Sequence, residues 1–363
     1  MDATKGNIYS ILNGNKQFLI PVYQRYYSWD IEQCKRLWND IVGMQKKNKQ
    51  GHFVGSIVNI AEQAMPTGVQ KYMIIDGQQR MTTLTLLLIA LRDYSIDHPE
   101  DISINFRRID NMLLKNEYEN GDERYKLLLT ENDRDILINL IERKPISENI
   151  VSRLLTNHSF FVEQIEKKEL MPAEIYESIG KLQIVNITLD RAVDDAQAIF
   201  ESLNSTGKEL SESDLIRNYI LMGLENDEQS FIYEHFWRPM ELMFDYEKQG
   251  TIMDKFFRDY LTMKLTRIPK INKVYEEFKL YHINCEFSSV ADLCEDLLKY
   301  TKYYTDMVFV RNSNPEIKNL YADVNDLRME VAFPFLLKVH NDCSEKIITE
   351  ENLIEILKIC ISY

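Results

Sequence analysis

One continuous stretch, residues 71–94, restricts the architecture more than any other part of the chain. Lys71-Tyr72-Met73-Ile74-Ile75-Asp76 is short, apolar and β-branched enough to be a buried strand. MTTLTLLLIALRDY (81–94) is apolar on most faces, so as a helix it must be covered on most sides. Gly77 stands between them. A strand, a glycine and a buried helix form the local layout of an α/β phosphate site. There a helix N-terminus turns unpaired N–H groups and a positive dipole end toward an anion.

The flanking sequence extends this sheet. HFVGSIVNIAE (52–62) reads as a strand with a central glycine, and KLQIVNITLD (181–190) as a strand that returns to the sheet. Residues 18–29, FLIPVYQRYYSW, read as a strand or extended segment entering a turn, because Pro21 holds its predecessor extended. Ser28 or Asp30 then caps a helix with apolar positions Ile31, Leu37, Trp38 and Ile41. From about 105 to 180, charged segments of helical spacing such as YKLLLTENDRDILINLIERK (125–144) form a helical insertion that leaves the sheet. Helices around 194–203 and 212–224 flank the polar turn NSTGKE (204–209), and beyond 225 helical patterns rich in Tyr and Phe take over. The expected fold is α/β plus all-α: a mixed-sheet domain over 1–224, with its insertion, and a helical module over 225–363. Scarce Gly (12) and Pro (9) beside 20 Tyr and 16 Phe exclude an all-β chain.

Charge narrows the partners. The 43 Lys and Arg against 57 Asp and Glu give −14, which rules out a uniformly basic, nucleic-acid-coating surface. Residues 1–50 nevertheless hold eight basic residues against four acids, so a local anion site at this end survives. Five scattered cysteines without a C-x-x-C pair speak against a disulfide framework or zinc knuckle and for a reducing compartment. The strongest apolar run, Leu84–Leu91, falls short of the roughly 20 residues that span a bilayer. A soluble, cytoplasmic protein without a membrane partner is expected.

Three constellations carry candidate chemistry. Asp76-Gly77-Gln78-Gln79-Arg80 opens the buried helix: Gly77 lets a phosphate approach the backbone, Arg80 adds a bidentate donor, and Thr82 and Thr83 add hydroxyls. A plain D-G turn beside a surface arginine explains the same residues. Tyr23-Gln24-Arg25-Tyr26-Tyr27-Ser28-Trp29 sets an arginine among aromatics, either to grip a phosphate and stack a base or to form an aromatic core corner. Asn204-Ser205-Thr206-Gly207-Lys208 is a polar loop able to wrap a triphosphate or offer oxygens to Mg²⁺. A helix C-cap at Gly207 followed by a capping Ser211 also accounts for it and, for this loop taken alone, is the favoured reading.

Taken in order, I-P-x-Y-Q-R-x-Y-x-W (20–29), F-V-G-S-I (53–57), I-D-G-Q-Q-R-x-T-T-L (75–84) and I-F-E-x-L-N-x-T-G-K-x-L-x-x-x-D-L-I-R-N (199–218) make a specific set. It resembles the N-terminal domain of GmrSD-type restriction endonucleases, modification-dependent nucleases of antiviral defence. The likeness covers about 20–225 and weakens beyond. It implies a ParB/sulfiredoxin-like fold in which a G-x-x-R turn binds nucleotide phosphates, the place that Gly77–Arg80 occupies. A Glu-Asn pair of that superfamily looks matched by Asn204, although Leu203 precedes it and the acid sits at Glu201.

The resemblance implies an enzyme that hydrolyses a nucleoside triphosphate with Mg²⁺, without zinc, haem or flavin. Gly77, Gln78, Arg80 and Arg25 would hold phosphates, with Tyr23 and Gln24 beside them. Gln78 or Gln79 would orient water, and Asp76, with Asn204, would act on the metal. Thr206, Gly207 and Lys208 would close the other side. The partners implied are modified DNA, touched locally and salt-sensitively, and a downstream HNH nuclease domain; a homo-oligomer is compatible. None of the six histidines has an HNH context, His340-Asn341-Asp342-Cys343 being the one tempting cluster. The uncapped apolar run 351–363 is read as a stop inside the helical module. The rival reading is a non-catalytic DNA- or partner-binding module in which nucleotide is absent or only an ordering ligand.

Overall fold

The computed structural model describes residues 1–62, 68–191, 193–204, 210–244 and 249–362. The chain divides into two compact units, Met1–Gly207 and Lys208–Tyr363.

The first unit is built on a six-stranded mixed sheet. Its strands are β1 (Asp2–Gly6), β2 (Lys16–Leu19), β3 (His52–Ala61), β4 (Gln70–Asp76), β5 (Leu127–Leu128) and β6 (Leu182–Leu189), in the order β1-β6-β3-β4-β2-β5. β6 runs antiparallel to β1 and parallel to β3, β3 and β4 are antiparallel, and β2 is parallel to both β4 and β5. The strands read from the sequence are present. Two others are additions. β1 is an exposed edge with no apolar alternation to reveal it. β5 shows that the insertion does not wholly leave the sheet, for two of its leucines pair with Phe18 and Leu19; two residues are too few to display a period.

The helices of this unit are α1 (Ile8–Leu12), α2 (Ile31–Lys46), α3 (Gln78–Asp97), α4 (Phe106–Ile109), α5 (Glu131–Ile141), α6 (Arg153–Glu166), α7 (Pro172–Gly180) and α8 (Ala196–Asn204). Of the two candidate caps for α2, Asp30 is the one used, in a capping box with Gln33. α3 is the hub: Met81, Leu84 and every residue from Leu86 to Leu91 are essentially without solvent contact. That burial is possible because the insertion folds over it, α6 packing along α3 and α5 along α6.

A buried cation fastens the insertion. Arg92 on α3 is 2% exposed. Its guanidinium donates to the carboxylates of Asp93 (2.7 Å) and Asp110 (2.5 Å) and to the carbonyls of Ile141 (2.9 Å) and Leu140 (3.1 Å). The last two are carbonyls at the C-terminal end of α5, which helix geometry leaves unpaired. Lys115 bridges Asp110 to Glu142, extending the network.

The second unit is helical: α9 (Glu212–Met222), α10 (Asn226–Ile232), α11 (Arg238–Met243), α12 (Gln249–Leu265), α13 (Val274–Asn284), α14 (Val290–Val308), α15 (Pro315–Asp326), α16 (Phe333–Ser344) and α17 (Glu350–Ser362). Its aromatic richness is core: Phe256, Phe257, Tyr260, Phe278 and Tyr304 are buried and meet edge-to-face or tilted. α9 packs against α12 and α13 here. Arg217 is buried between Asp214 (2.7 Å) and Glu241 (2.6 Å), and Glu241 also accepts the Trp237 indole N–H at 2.9 Å. Residues 210–222, placed with the first domain on sequence grounds, thus pack within the second unit.

Arg92→Ala should lower stability by about 3 kcal/mol, because it removes the buried cation shared by Asp93 and Asp110 and the donors to the Ile141 and Leu140 carbonyls. Urea unfolding with an unchanged midpoint would show that the network does not hold the insertion.

Candidate functional site

The site begins where β4 meets α3. Gly77 is the N-cap of α3 with φ +90°, and no side chain caps the helix. A Cβ there would stand 2.7 Å from the Ser56 carbonyl oxygen and 3.1 Å from the Ile57 Cα. Glycine is therefore required twice, by the left-handed backbone and by β3 lying against it. The N–H groups of the first turn keep their capacity to bind an anion.

Arg80 lies across β3. Its guanidinium rests over Gly55, also left-handed at φ +117°, where a Cβ would come within 2.6 Å of the guanidinium carbon. One of its N–H groups donates to the Ser56 carbonyl. Gly55 and Ser56 were not singled out as site residues; the glycine inside a strand pattern was the available signal. Asp76 is half-buried beside this arginine. Burial pushes its carboxyl above the ordinary range, while Arg80, the Gly77 N–H and Arg25 pull it back. Burial lowers the Arg80 pKa and Asp76 opposes that shift. Arg80 thus opposes the charge of Asp76, and Arg25 adds a weaker electrostatic pull.

The two glutamines have separate duties. Gln78 Nε2 donates to Gln24 Oε1 at 3.0 Å, and Gln24 Nε2 donates to the Ile75 carbonyl at 3.0 Å. Gln79 is engaged at both ends of its amide: Oε1 accepts from the N–H groups of Ser28 (2.8 Å) and Trp29 (3.2 Å), and Nε2 donates to the Tyr26 carbonyl (3.2 Å). It clamps the segment 26–29. Thr83 does related work, with Asn157 Nδ2 donating to the Tyr27 hydroxyl (2.9 Å), which lies 2.7 Å from Thr83 Oγ1, and Thr83 Oγ1 donating to the Gln79 carbonyl (2.8 Å). Thr82 is 2% exposed.

The aromatic motif is therefore largely a core corner. Tyr23 is 1% and Tyr27 8% exposed, so neither ring presents a face on which a base can stack. The insertion completes the clamp, Asp133 accepting the Tyr27 N–H at 2.8 Å and Asn157 donating to the Trp29 carbonyl at 2.9 Å. Arg25, Tyr26, Gln78, Gln79, Thr82 and Asp133 line one narrow cleft. Asp133, its carboxyl raised by burial, is a cleft residue that no motif announced.

The third constellation is only partly described. α8 packs against β4 and ends at Asn204, but the Asn204 side chain and Thr206, Gly207 and Lys208 lie outside the described residues. His340 is 8% exposed, 2.9 Å from the Tyr321 hydroxyl, with its pKa pulled down to about 4 by burial. Among the described residues no group of three or more His, Cys, Asp or Glu side chains is placed to hold a metal.

Gly77→Ala should cost at least about 2 kcal/mol, the left-handed penalty plus the collision with β3, as read by thermal or urea unfolding. Asp76→Asn should act oppositely. A carboxyl whose folded pKa is raised gains stability as pH falls through that value and loses it as pH rises. The asparagine variant should thus be more stable than the parent at neutral pH, with the gap closing in acid; a parent that is the more stable at neutral pH would contradict the buried charge.

The description of one family model, the N-terminal domain of GmrSD restriction endonuclease, fits residues 8–221 of this chain. A comparison with curated proteins finds no match.

Proposed function

The chain belongs to the family of GmrSD restriction endonuclease N-terminal domains, with a role in restriction-system defence, and from this premise we propose that the N-terminus of α3 binds and hydrolyses a nucleoside triphosphate. The observation that carries the reading is the helix N-terminus itself: a left-handed Gly77 without a side-chain cap, with Arg80 one turn on and opposing the charge of Asp76. Phosphoryl transfer asks chiefly for positioning and neutralisation of charge, and backbone N–H groups with two guanidinium groups supply both.

In this reading Gln78 holds phosphate oxygens through its backbone N–H, Gly77 lets them approach the backbone closely, and Arg80 and Arg25 hold them through charge. Gln79 is committed to the 26–29 segment, which leaves Gln78 to orient the attacking water. Asp76 suits Mg²⁺ held through water: it is a hard oxygen donor whose burial leaves its charge short of solvation. When bound with the triphosphate, magnesium would neutralise charge on the phosphate oxygens. Asn204, Thr206, Gly207 and Lys208 would close over the nucleotide. DNA contact, at a net charge of −14, would be local and salt-sensitive.

Arg80→Ala should weaken nucleotide binding by about 1.5–3 kcal/mol, the range for a charge-assisted hydrogen bond, and abolish steady phosphate release. Gln78→Leu should lower kcat with little change in KM. Phosphate release measured with ATP, GTP, CTP and UTP, with and without modified DNA, tests both variants. Binding without turnover in every condition would make this a nucleotide-ordered binding module instead.

A further inference from the structure

The narrow cleft beside the first turn of α3 encloses about 10 Å³, roughly the space that a single water needs. One wall comes from α3, through Gln78, Gln79 and Thr82. The other comes from the helical insertion, through Asp133 in the first turn of α5. Among the described residues that line it, Asp133 is the one carboxylate. The insertion thus delivers an acid to the start of α3.

That carboxylate is held in a set direction. Its Oδ2 accepts the Tyr27 N–H at 2.8 Å. The segment carrying Tyr27 is fixed from α3 by Gln79, and from α6 by Asn157 and by Arg153, which donates to the Ser28 carbonyl at 2.5 Å. The other oxygen, Oδ1, accepts from no donor among the described residues. Across the cleft Gln78 is in a similar state. Its Nε2 is engaged with Gln24, while Oε1 accepts no hydrogen bond among the described residues. A water in the cleft therefore finds an acceptor on each wall, one for each of its protons. The two carboxyls near the helix start also differ in surroundings. Burial raises both, but Arg80 counters it at Asp76, whereas only the Tyr27 N–H does so at Asp133. A carboxylate with a cation at its side gives up affinity for a proton, and one without keeps it.

Resting on the reading of the α3 start as a hydrolytic site, we propose that Asp133 of the insertion is its general base, taking a proton from a water that Gln78 Oε1 orients. In the step, the water oxygen bonds to the terminal phosphorus of the triphosphate and one water proton passes to Asp133 Oδ1. The second water proton stays on the phosphate formed. The bond from phosphorus to the bridging oxygen breaks, and its electron pair departs on the nucleoside diphosphate. Asp133 then returns its proton to solvent. The insertion is in this way a catalytic part of the domain as well as a cover for α3.

Steady phosphate release is measured on the full chain with whichever of ATP, GTP, CTP and UTP it turns over fastest. Asp133→Asn keeps an oxygen for the Tyr27 N–H but cannot take up a proton at neutral pH. It should lower kcat at least about a hundredfold while KM changes less than about threefold. Its urea midpoint should be no lower than the parent's, because the contact to Tyr27 survives. Asp133→Ala loses that contact too, and should show the same fall in kcat together with a lower midpoint. The proposal is overturned if Asp133→Asn loses less kcat than this, if its loss lies in KM, or if its midpoint falls as that of Asp133→Ala does. Asp133 would then serve only to hold Tyr27. A parent that releases no phosphate from any of the four nucleotides, with or without modified DNA, overturns the hydrolytic reading and this proposal together. Release by the parent that Asp133→Asn matches overturns this proposal alone.

Discussion

The contact between Gly77 and β3 governs the first unit. A helix as apolar as α3 can start only where the chain turns sharply out of β4, and the turn places the backbone of Gly77 directly on Ser56 and Ile57. No side chain fits between them. This closeness brings the first turn of α3 beside β3, so that Arg80 can cross to Gly55 and the Ser56 carbonyl. The open N–H groups of the helix and the arginine thereby come to one place by a single steric condition. The close approach of the α3 start to β3 depends on one missing Cβ.

Around that start, most side chains that resemble catalytic groups are engaged in holding structure. Gln79 and Thr83 tie the 26–29 segment and lack spare capacity for a ligand on the amide ends and hydroxyl described. Gln24 and Gln78 pass a hydrogen bond to the β4 backbone. Asp76 is different, because its charge is costly where it stands and is relieved by the cations beside it. A half-buried carboxylate beside Arg80 favours the charged guanidinium against burial. The insertion contributes to this arrangement through Asp133 and Asn157, and Arg92 keeps the insertion seated on α3.

Local patterning was enough for much of this architecture. The β4–Gly77–α3 succession, the strands at 52–62 and 181–190 and the tyrosine-rich helices all announce themselves through spacing, because alternation and apolar runs are properties of neighbouring residues. The aromatic corner could be read either way, as stacking platform or core, since composition does not say which face of a ring is covered. Asp133 as a cleft residue, Asn157 as a partner of Tyr27, the crossing of Arg80 over Gly55 and the pairing of β5 with β2 had no local signal. Each joins residues far apart in the chain, and an edge strand of two residues has no period to read.

The sequence by itself therefore determined the central strands and the main helices in their order, the need for glycine at 77 and the α/β character followed by a helical module. Tertiary structure alone decided which polar groups are occupied by neighbours and which remain for a ligand. It closed Tyr23 and Tyr27 into the core, engaged Gln79, and placed Arg217 in the second unit between Asp214 and Glu241. Hydrogen-bond capacity and charge compensation depend on what comes within a few ångströms in space, and a one-dimensional pattern holds that information only for neighbours along the chain.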